Sequence, residues 1–165
     1  MTVVDDTWPE FDRLFLAEHA AVARSVYLIV HDVARSEDIT QDAFVQLLRH
    51  WAKVSRYERP GAWVRRVAIR LAVQASRRER LRSLLERGAR PPQATGPADI
   101  DLMDAVRMLS AMQRAAVVLF YFENHPVAEI SQMLGCSEPT ARVHLHRARR
   151  RLAELLGEEV PTDAP

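Results

Sequence analysis

Residues 135–152 read GCSEPTARVHLHRARRRL, a stretch that joins a turn signal to a strongly cationic helix. Gly135 can adopt the positive φ that ends a helix. Ser137 is a preferred N-cap, and Pro139 is tolerated in the first turn of the helix that follows. A short helix over residues 126–134 is predicted just upstream. Two helices joined through so short a turn predict a helix-turn-helix.

The second helix of this motif is predicted to have an apolar face and a cationic face. Its inward positions recur at heptad-like spacing and are Ala141, Leu145, Ala148, Leu152 and Leu155. Its outward positions are Thr140, Arg142, Val143, His146, Arg147, Arg149 and Arg150. Because two turns of a helix can enter a major groove, the N-terminal half of this face is expected to reach base edges. A surface helix with incidental arginines is the alternative, and the turn chemistry favours DNA binding.

The other polar residues of this stretch do not indicate a metal site or a reactive thiol. His144 and His146 are two residues apart, so their side chains point in different directions on a helix. Cys136 occupies a turn position that normally points inward and is predicted to be a small core residue. It is the chain's single cysteine, which excludes an internal disulfide and fits a reducing compartment.

Upstream of the motif the sequence also predicts helices, so the expected fold class is all-α. Residues 7–10, Thr-Trp-Pro-Glu, form a capping box that opens a first helix. Ser36 is expected to cap a second helix, with acidic residues in its first turn. A third helix is predicted from about Pro60 to the mid-80s. Further on, a helix over about 100–109 precedes a second capping box that starts at Ser110.

Two small helical domains joined by a flexible linker are predicted. Residues 88–98 contain three prolines and two glycines without periodicity, which is typical of a linker. The expected domains cover residues 7–86 and 99–157, with the linker at 87–98. The acidic tail at 158–165 is expected to be disordered.

Charge is distributed in blocks, although the formal net charge is only +1. Residues 1–45 contain 9 Asp/Glu and 3 Arg, which gives −6. Residues 46–90 contain 13 Lys/Arg and 3 Glu, which gives +10, and residues 138–157 contain 5 Arg and 2 Glu, which gives +3. Two separated basic blocks, made almost entirely of arginine, indicate two contacts with a polyanion.

The third predicted helix carries a polar stripe. Arg66, Arg70, Gln74 and Arg77 follow one another at intervals of 4, 4 and 3 residues, and Trp63 lies at the start of the helix. Cations combined with aromatic side chains are typical of sites for single-stranded or distorted nucleic acid. Trp63 taken alone is interpreted as a core tryptophan.

An acidic face is expected on the second predicted helix. Asp38, Gln41, Asp42 and Val45 would share an exposed surface there. This surface is unsuited to DNA and would suit a basic protein partner. Taken alone, it would be interpreted as a solvated helix face.

Three motifs, in this order, carry a family resemblance. DITQDAF at 38–44 resembles conserved region 2.2 of the sigma-70-type RNA polymerase sigma factors. AWVRRVA at 62–68 is similar to their regions 2.3–2.4, and AEISQMLGCSEPTARVHLHRAR at 128–149 is similar to their region 4.2. The chain has no room for regions 1.1 or 3, so it resembles the extracytoplasmic-function (group IV) sigma factors.

The resemblance implies a role for each surface. The acidic face of Asp38, Gln41, Asp42 and Val45 would bind the β′ clamp of core RNA polymerase, and region 4 would dock on the β flap. The melted −10 element would lie near Trp63, Arg66, Arg70, Gln74 and Arg77. The −35 element would be read by Thr140, Arg142, Val143, His146 and Arg147, with Arg149 at the DNA backbone. An anti-sigma factor is a further partner expected by analogy.

Other classes of function are less consistent with the sequence. No carboxylate cluster, metal-ligand spacing, phosphate-binding loop or nucleophile–base set is evident, so neither catalysis nor a cofactor is expected. No run of about 18 apolar residues predicts a membrane span, and the N-terminus does not look like a secretory signal, so the expected location is the cytoplasm. The remaining alternative is a helix-turn-helix regulator that does not act as a sigma subunit.

Overall fold

The protein is described by a computed structural model that covers residues 7–88 and 100–158. The helices of the first part are α1 (Thr7–Val30), α2 (Val33–Arg49), α3 (Trp51–Val54) and α4 (Pro60–Arg87). Those of the second part are α5 (Leu102–Arg107), α6 (Ala111–Val117), a π-helical turn (Val118–Phe122), α7 (Val127–Leu134) and α8 (Glu138–Leu156). These two ranges contain no strand, which confirms the all-α fold class.

The chain divides into two compact units, and the division lies between Ala72 and Val73, inside α4. The sequence instead predicts the domain boundary at the Pro/Gly-rich segment after this helix, so the ranges 7–86 and 99–157 stay a prediction. Most of the predicted linker, nearly all of the acidic tail and the side chain of Thr7 lie outside the described residues.

The start of α2 differs from the sequence prediction. The N-cap is Asp32, whose carboxylate accepts a hydrogen bond from the Arg35 amide at 2.8 Å, whereas Ser36 was expected there. Ser36 lies inside the helix, where its hydroxyl donates to the Val33 carbonyl at 2.8 Å. The helix begins earlier because His31 adopts φ 54°, which ends α1 and frees Asp32 to cap the next amides.

Apolar side chains of α1, α2, α3 and the first part of α4 form the core of the first unit. Phe15 of α1 packs edge-on against Phe44 of α2, with ring centroids 4.8 Å apart. Phe11 meets Trp51 of α3 at 5.4 Å in the same manner. Val26 of α1 is fully buried, as are other core residues of this unit, including Ile29, Ala43, Leu47, Val64 and Ala68.

The first turns of α4 approach α1 closely. Arg65 donates through Nε to Glu18 Oε2 at 2.6 Å, and both side chains are half-buried. A Cβ atom at Gly61 would lie 2.8 Å from Glu18 Oε1. The absence of a side chain at Gly61 therefore leaves room for the carboxylate that anchors α4.

In the second unit, hydrogen bonds from side chains connect α5 to α6. The capping box at Ser110 is confirmed, because Ser110 Oγ accepts from the Gln113 amide and Gln113 Oε1 accepts from the Ser110 amide. The Arg114 guanidinium donates to the carbonyls of Val106, Arg107 and Leu109 at 3.2, 2.6 and 3.1 Å. These carbonyls end α5, so one arginine fixes the junction of the two helices.

The helix-turn-helix is formed by α7 and α8, as the sequence predicts. Gly135 ends α7 at φ 68°, and the Cys136 amide donates to the Ser131 carbonyl at 3.0 Å. Ser137 then caps α8 by accepting from the Thr140 amide at 3.3 Å. Ile130 of α7 is buried, as are the α8 residues that face inward, namely Ala141, Leu145 and Ala148.

Candidate nucleic-acid interface

The outer face of α8 exposes the side chains that the sequence predicts at base edges. Thr140, Arg142, Val143, His146 and Arg147 are all exposed. Since Ala141, Leu145 and Ala148 fix the opposite side of the helix in the core, this face is held outward by packing rather than by its own polarity. It presents cations and one apolar side chain from a rigid element, features that suit contact with a major groove.

Arg149 differs from its neighbours because it is half-buried and has partners within the second unit. Its Nε donates to the Tyr121 hydroxyl at 2.6 Å. Its Cζ lies 5.4 Å from the ring centroid of Phe120 and 5.7 Å from that of Tyr121, within the range of a cation–π interaction. The guanidinium is therefore held in one place by two aromatic residues.

Sequence reasoning missed Phe120 and Tyr121 as part of this site. The apolar run at 115–122 is typical of a buried helix, but Tyr121 is 54% exposed. The reason is the π-helical turn Val118–Phe122, which changes the direction of its side chains relative to a regular α-helix. The Tyr121 hydroxyl and Arg149 are 28 residues apart in sequence, so no spacing rule could have paired them.

A cleft of about 330 Å³ opens beside this face of α8. The residues that line it are Phe120, Val127, Arg142, Val143, Leu145, His146 and Arg149. Among the described residues, the lining combines apolar side chains with two arginines and a histidine and includes no carboxylate, although Arg142 also pairs with Glu138 at 3.7 Å. Its electrostatic character therefore suits an anion.

His144 lies away from the outer face and is half-buried. Burial lowers the pKa of its imidazole, and the cations Arg147 and Arg77 lower it further. A neutral, partly buried imidazole is a packing residue, which agrees with its omission from the predicted DNA contacts. Among the residues that the structure describes, no three His, Cys, Asp or Glu side chains are placed to hold a metal ion.

The polar stripe predicted on the third helix lies on α4. Trp63 is half-buried and packs against His50 with ring centroids 5.5 Å apart, while Arg70, Gln74 and Arg77 are exposed. Arg66 is half-buried, and its Nε has no hydrogen-bond partner among the described residues. Trp63, Arg66 and Arg70 belong to the first unit, whereas Gln74 and Arg77 belong to the second.

The acidic face predicted on the second helix is exposed on α2. Asp38, Gln41, Asp42 and Val45 all have exposed side chains. On the other side of α2, Ala43 and Phe44 pack into the core of the first unit together with other residues of that helix, Ile39, Thr40 and Leu47. Packing thus fixes which side of α2 is available to a partner. In the part of the chain that the structure describes, no helix is long and apolar enough to cross a bilayer.

Comparison with known proteins gives two family matches in the order that the motifs predict. Residues 14–82 match the model of Sigma-70 region 2, and residues 99–152 match that of Sigma-70 region 4. The ECF RNA polymerase sigma factor SigL of Mycobacterium tuberculosis is 30% identical over 158 residues, which is 88% of this chain and 89% of that protein. The RNA polymerase sigma-E factor of Streptomyces avermitilis is 28% identical, over 89% of this chain and 85% of that protein.

A solved structure agrees with these matches. The sigma factor RpoE of Bartonella quintana, in complex with the anti-sigma factor NepR, is similar with a TM-score of 0.64 and 27% identity. The similarity covers 90% of this chain and 97% of that one. The chain therefore belongs to the sigma-70 family of RNA polymerase sigma factors, in its extracytoplasmic-function group.

Proposed function

We propose that this chain binds core RNA polymerase and directs it to promoters by contacting the −10 and −35 elements. The observation that carries the proposal is the succession of a region 2 match and a region 4 match along one chain. A helix-turn-helix regulator outside the polymerase would not need region 2, so this alternative is not favoured.

Core polymerase is the proposed partner of the acidic face on α2. The carboxylates of Asp38 and Asp42 would meet a basic surface, the β′ clamp, and Gln41 and Val45 would extend the contact. All four side chains are exposed on one rigid, well-packed helix, which supports this role. Region 4 would make a second contact, with the β flap.

The −10 element is the proposed partner of the stripe on α4. Arg66, Arg70 and Arg77 would contact phosphates of the melted strand, and Gln74 would lie among them. Trp63 is half-buried against His50, so it would support the surface and offer only part of its ring to an unstacked base.

The −35 element is the proposed partner of α8. Arg142 and Arg147 are suited to the acceptor edge of guanine, and His146 and Thr140 can hydrogen-bond to either groove atoms or phosphates. Val143 is 44% exposed among these polar residues and offers an apolar contact. Arg149 would meet the backbone.

The chain would supply specificity and no chemistry, since bond formation belongs to the polymerase that it recruits. Its place of action would be the cytoplasm, where polymerase and promoter DNA are found. Regulation by an anti-sigma factor is also proposed, because the similar sigma factor from Bartonella quintana was solved with one.

Charge reversal on α2 tests the polymerase contact. We expect Asp38→Lys with Asp42→Lys to weaken binding to core polymerase at least tenfold, measured by fluorescence anisotropy of the labelled chain. The matched control is Asp12→Lys with Glu58→Lys, which reverses two exposed charges of the first unit outside α2. Circular dichroism checks folding. Equal binding by both double variants would exclude the acidic face of α2 as the polymerase contact.

A further inference from the structure

Arg149 has aromatic partners within its own unit before it meets DNA. Its Nε is taken by the Tyr121 hydroxyl, and its planar group lies over Phe120. With Nε occupied, the two terminal nitrogens remain as a fork of donors. Such a fork matches two oxygens of a phosphate, so the bond to Tyr121 leaves the phosphate-binding end of the side chain available.

Ordering an arginine side chain before binding reduces the entropy that is lost when the chain binds DNA. A free arginine loses rotamer entropy when it is held in one position. Here the aromatic residues of the π-helical turn impose that order in the unbound chain. The contact with DNA would therefore retain more of its electrostatic gain.

The position of Arg149 matters because it shares the cleft beside α8 with a second arginine and with an imidazole. Arg142 and His146 line the same cleft, whose apolar lining is provided by Phe120, Val127 and other residues. A deoxyribose offers apolar C–H groups and its phosphate offers charge. A lining that combines apolar side chains with two guanidinium groups therefore fits one nucleotide of the DNA backbone, with its sugar against the apolar part and its phosphate against the arginines.

We propose that this cleft, here called the phosphate seat (Phe120, Val127, Arg142, His146 and Arg149), holds one backbone phosphate with its sugar. Tyr121 is the positioning residue that aims Arg149 at this phosphate. The inference rests on the proposed recognition of the −35 element and adds to it a defined backbone contact. It also explains why an exposed tyrosine hydroxyl is aimed at an arginine on another helix.

Neutralising single phosphates tests the seat. First, the full chain bound to core polymerase selects duplexes from a random pool. Each phosphate of the selected −35 duplex is then replaced, one at a time, by an uncharged methylphosphonate. We expect one position to weaken binding by the wild-type chain about tenfold, because a charge-assisted bidentate contact is lost there. With Tyr121→Phe, which keeps the ring and removes the hydroxyl, the penalty at this position should fall below about twofold.

Salt dependence gives a second readout, which a purely structural role of Tyr121 would not change. Loss of one phosphate contact should reduce the slope of log K against log[salt] by about 0.9 in both Tyr121→Phe and Arg149→Ala. The double variant should be no weaker than Arg149→Ala alone. Tyr27→Phe, at an exposed tyrosine of α1, and Arg151→Ala, at an exposed arginine of α8 paired with Glu154, are the matched controls.

The outcomes separate the seat from the proposed function. Duplex selection by the wild type with an undiminished methylphosphonate penalty in Tyr121→Phe would overturn the positioning role alone. A penalty that persists in Arg149→Ala would overturn the seat. If the holoenzyme selects no duplex, both the proposed function and the seat are contradicted.

Discussion

Gly135 shows how a single residue can determine the geometry of the DNA-reading motif. It lies at φ 68° and ψ 37°, in the left-handed region that other residues enter only at a cost. The turn places the cap Ser137 at the start of α8 and so fixes where the outer face of that helix begins. Both features were predicted from the sequence, because turn and cap chemistry is local.

We predict that Gly135→Ala destabilises the fold by about 1–2 kcal/mol, the cost of a left-handed conformation for an L-residue. Asparagine tolerates this region better, so Gly135→Asn should recover much of the loss. Chemical denaturation of both variants measures the difference. Equal stability of the wild type and Gly135→Ala would show that the turn does not require positive φ.

A second residue-scale prediction concerns His144, whose pKa is lowered by burial and then by Arg147 and Arg77. The folded chain therefore holds the proton less tightly than the unfolded chain, whose histidine has the ordinary value of 6.5. Its contribution to stability should be complete above pH 6.5 and be lost as pH falls through the lowered pKa.

The measurement is the midpoint of thermal unfolding between pH 8 and pH 5. His144→Gln should lose less stability on acidification than the wild type, while His146→Gln on the exposed face should follow the wild type. If His144→Gln is as acid-sensitive as the wild type, burial of His144 does not affect the protonation balance.

At the scale of elements, the central parts of the helices were predictable from the sequence, but the junctions between helices were predictable only in part. Periodicity placed α4 and α8 well, since each has an apolar stripe. The predicted start of α2 was wrong because Asp32 and Ser36 are both good N-caps. Only the positive φ of His31 selects Asp32 as the cap. The π-helical turn could not be predicted either, because its sequence is a plain apolar run. The contact between Tyr121 and Arg149 depends on that turn.

Arg114 provides the element-scale prediction, since it connects the end of α5 to α6 through three carbonyls. Lysine keeps the charge but cannot reach three acceptors with a planar fork. We expect Arg114→Lys to cost about 1–3 kcal/mol of unfolding free energy, the range for buried acceptors that lose a charged donor. The control is Arg107→Lys at an exposed position, which should change stability by less than about 0.5 kcal/mol.

At the scale of the whole molecule, acidic and cationic side chains are concentrated on separate surfaces. The acidic face of α2 and the cationic faces of α4 and α8 lie on different helices, and the net charge of +1 conceals this separation. Two weak DNA contacts joined through one polymerase would act at a high effective concentration, so that neither needs high affinity alone. Blocks of charge and three motifs predict this division of roles. The phosphate seat depends on tertiary contacts and could only be found in the structure.

Transcription by reconstituted polymerase tests the central claim most directly. Core polymerase with and without the purified chain is supplied with a library of genomic fragments, and the 5′ ends of the transcripts are sequenced. The account predicts new start sites that require the chain, share two sequence elements upstream and disappear with Asp38→Lys and Asp42→Lys. Identical transcripts with and without the chain would contradict it.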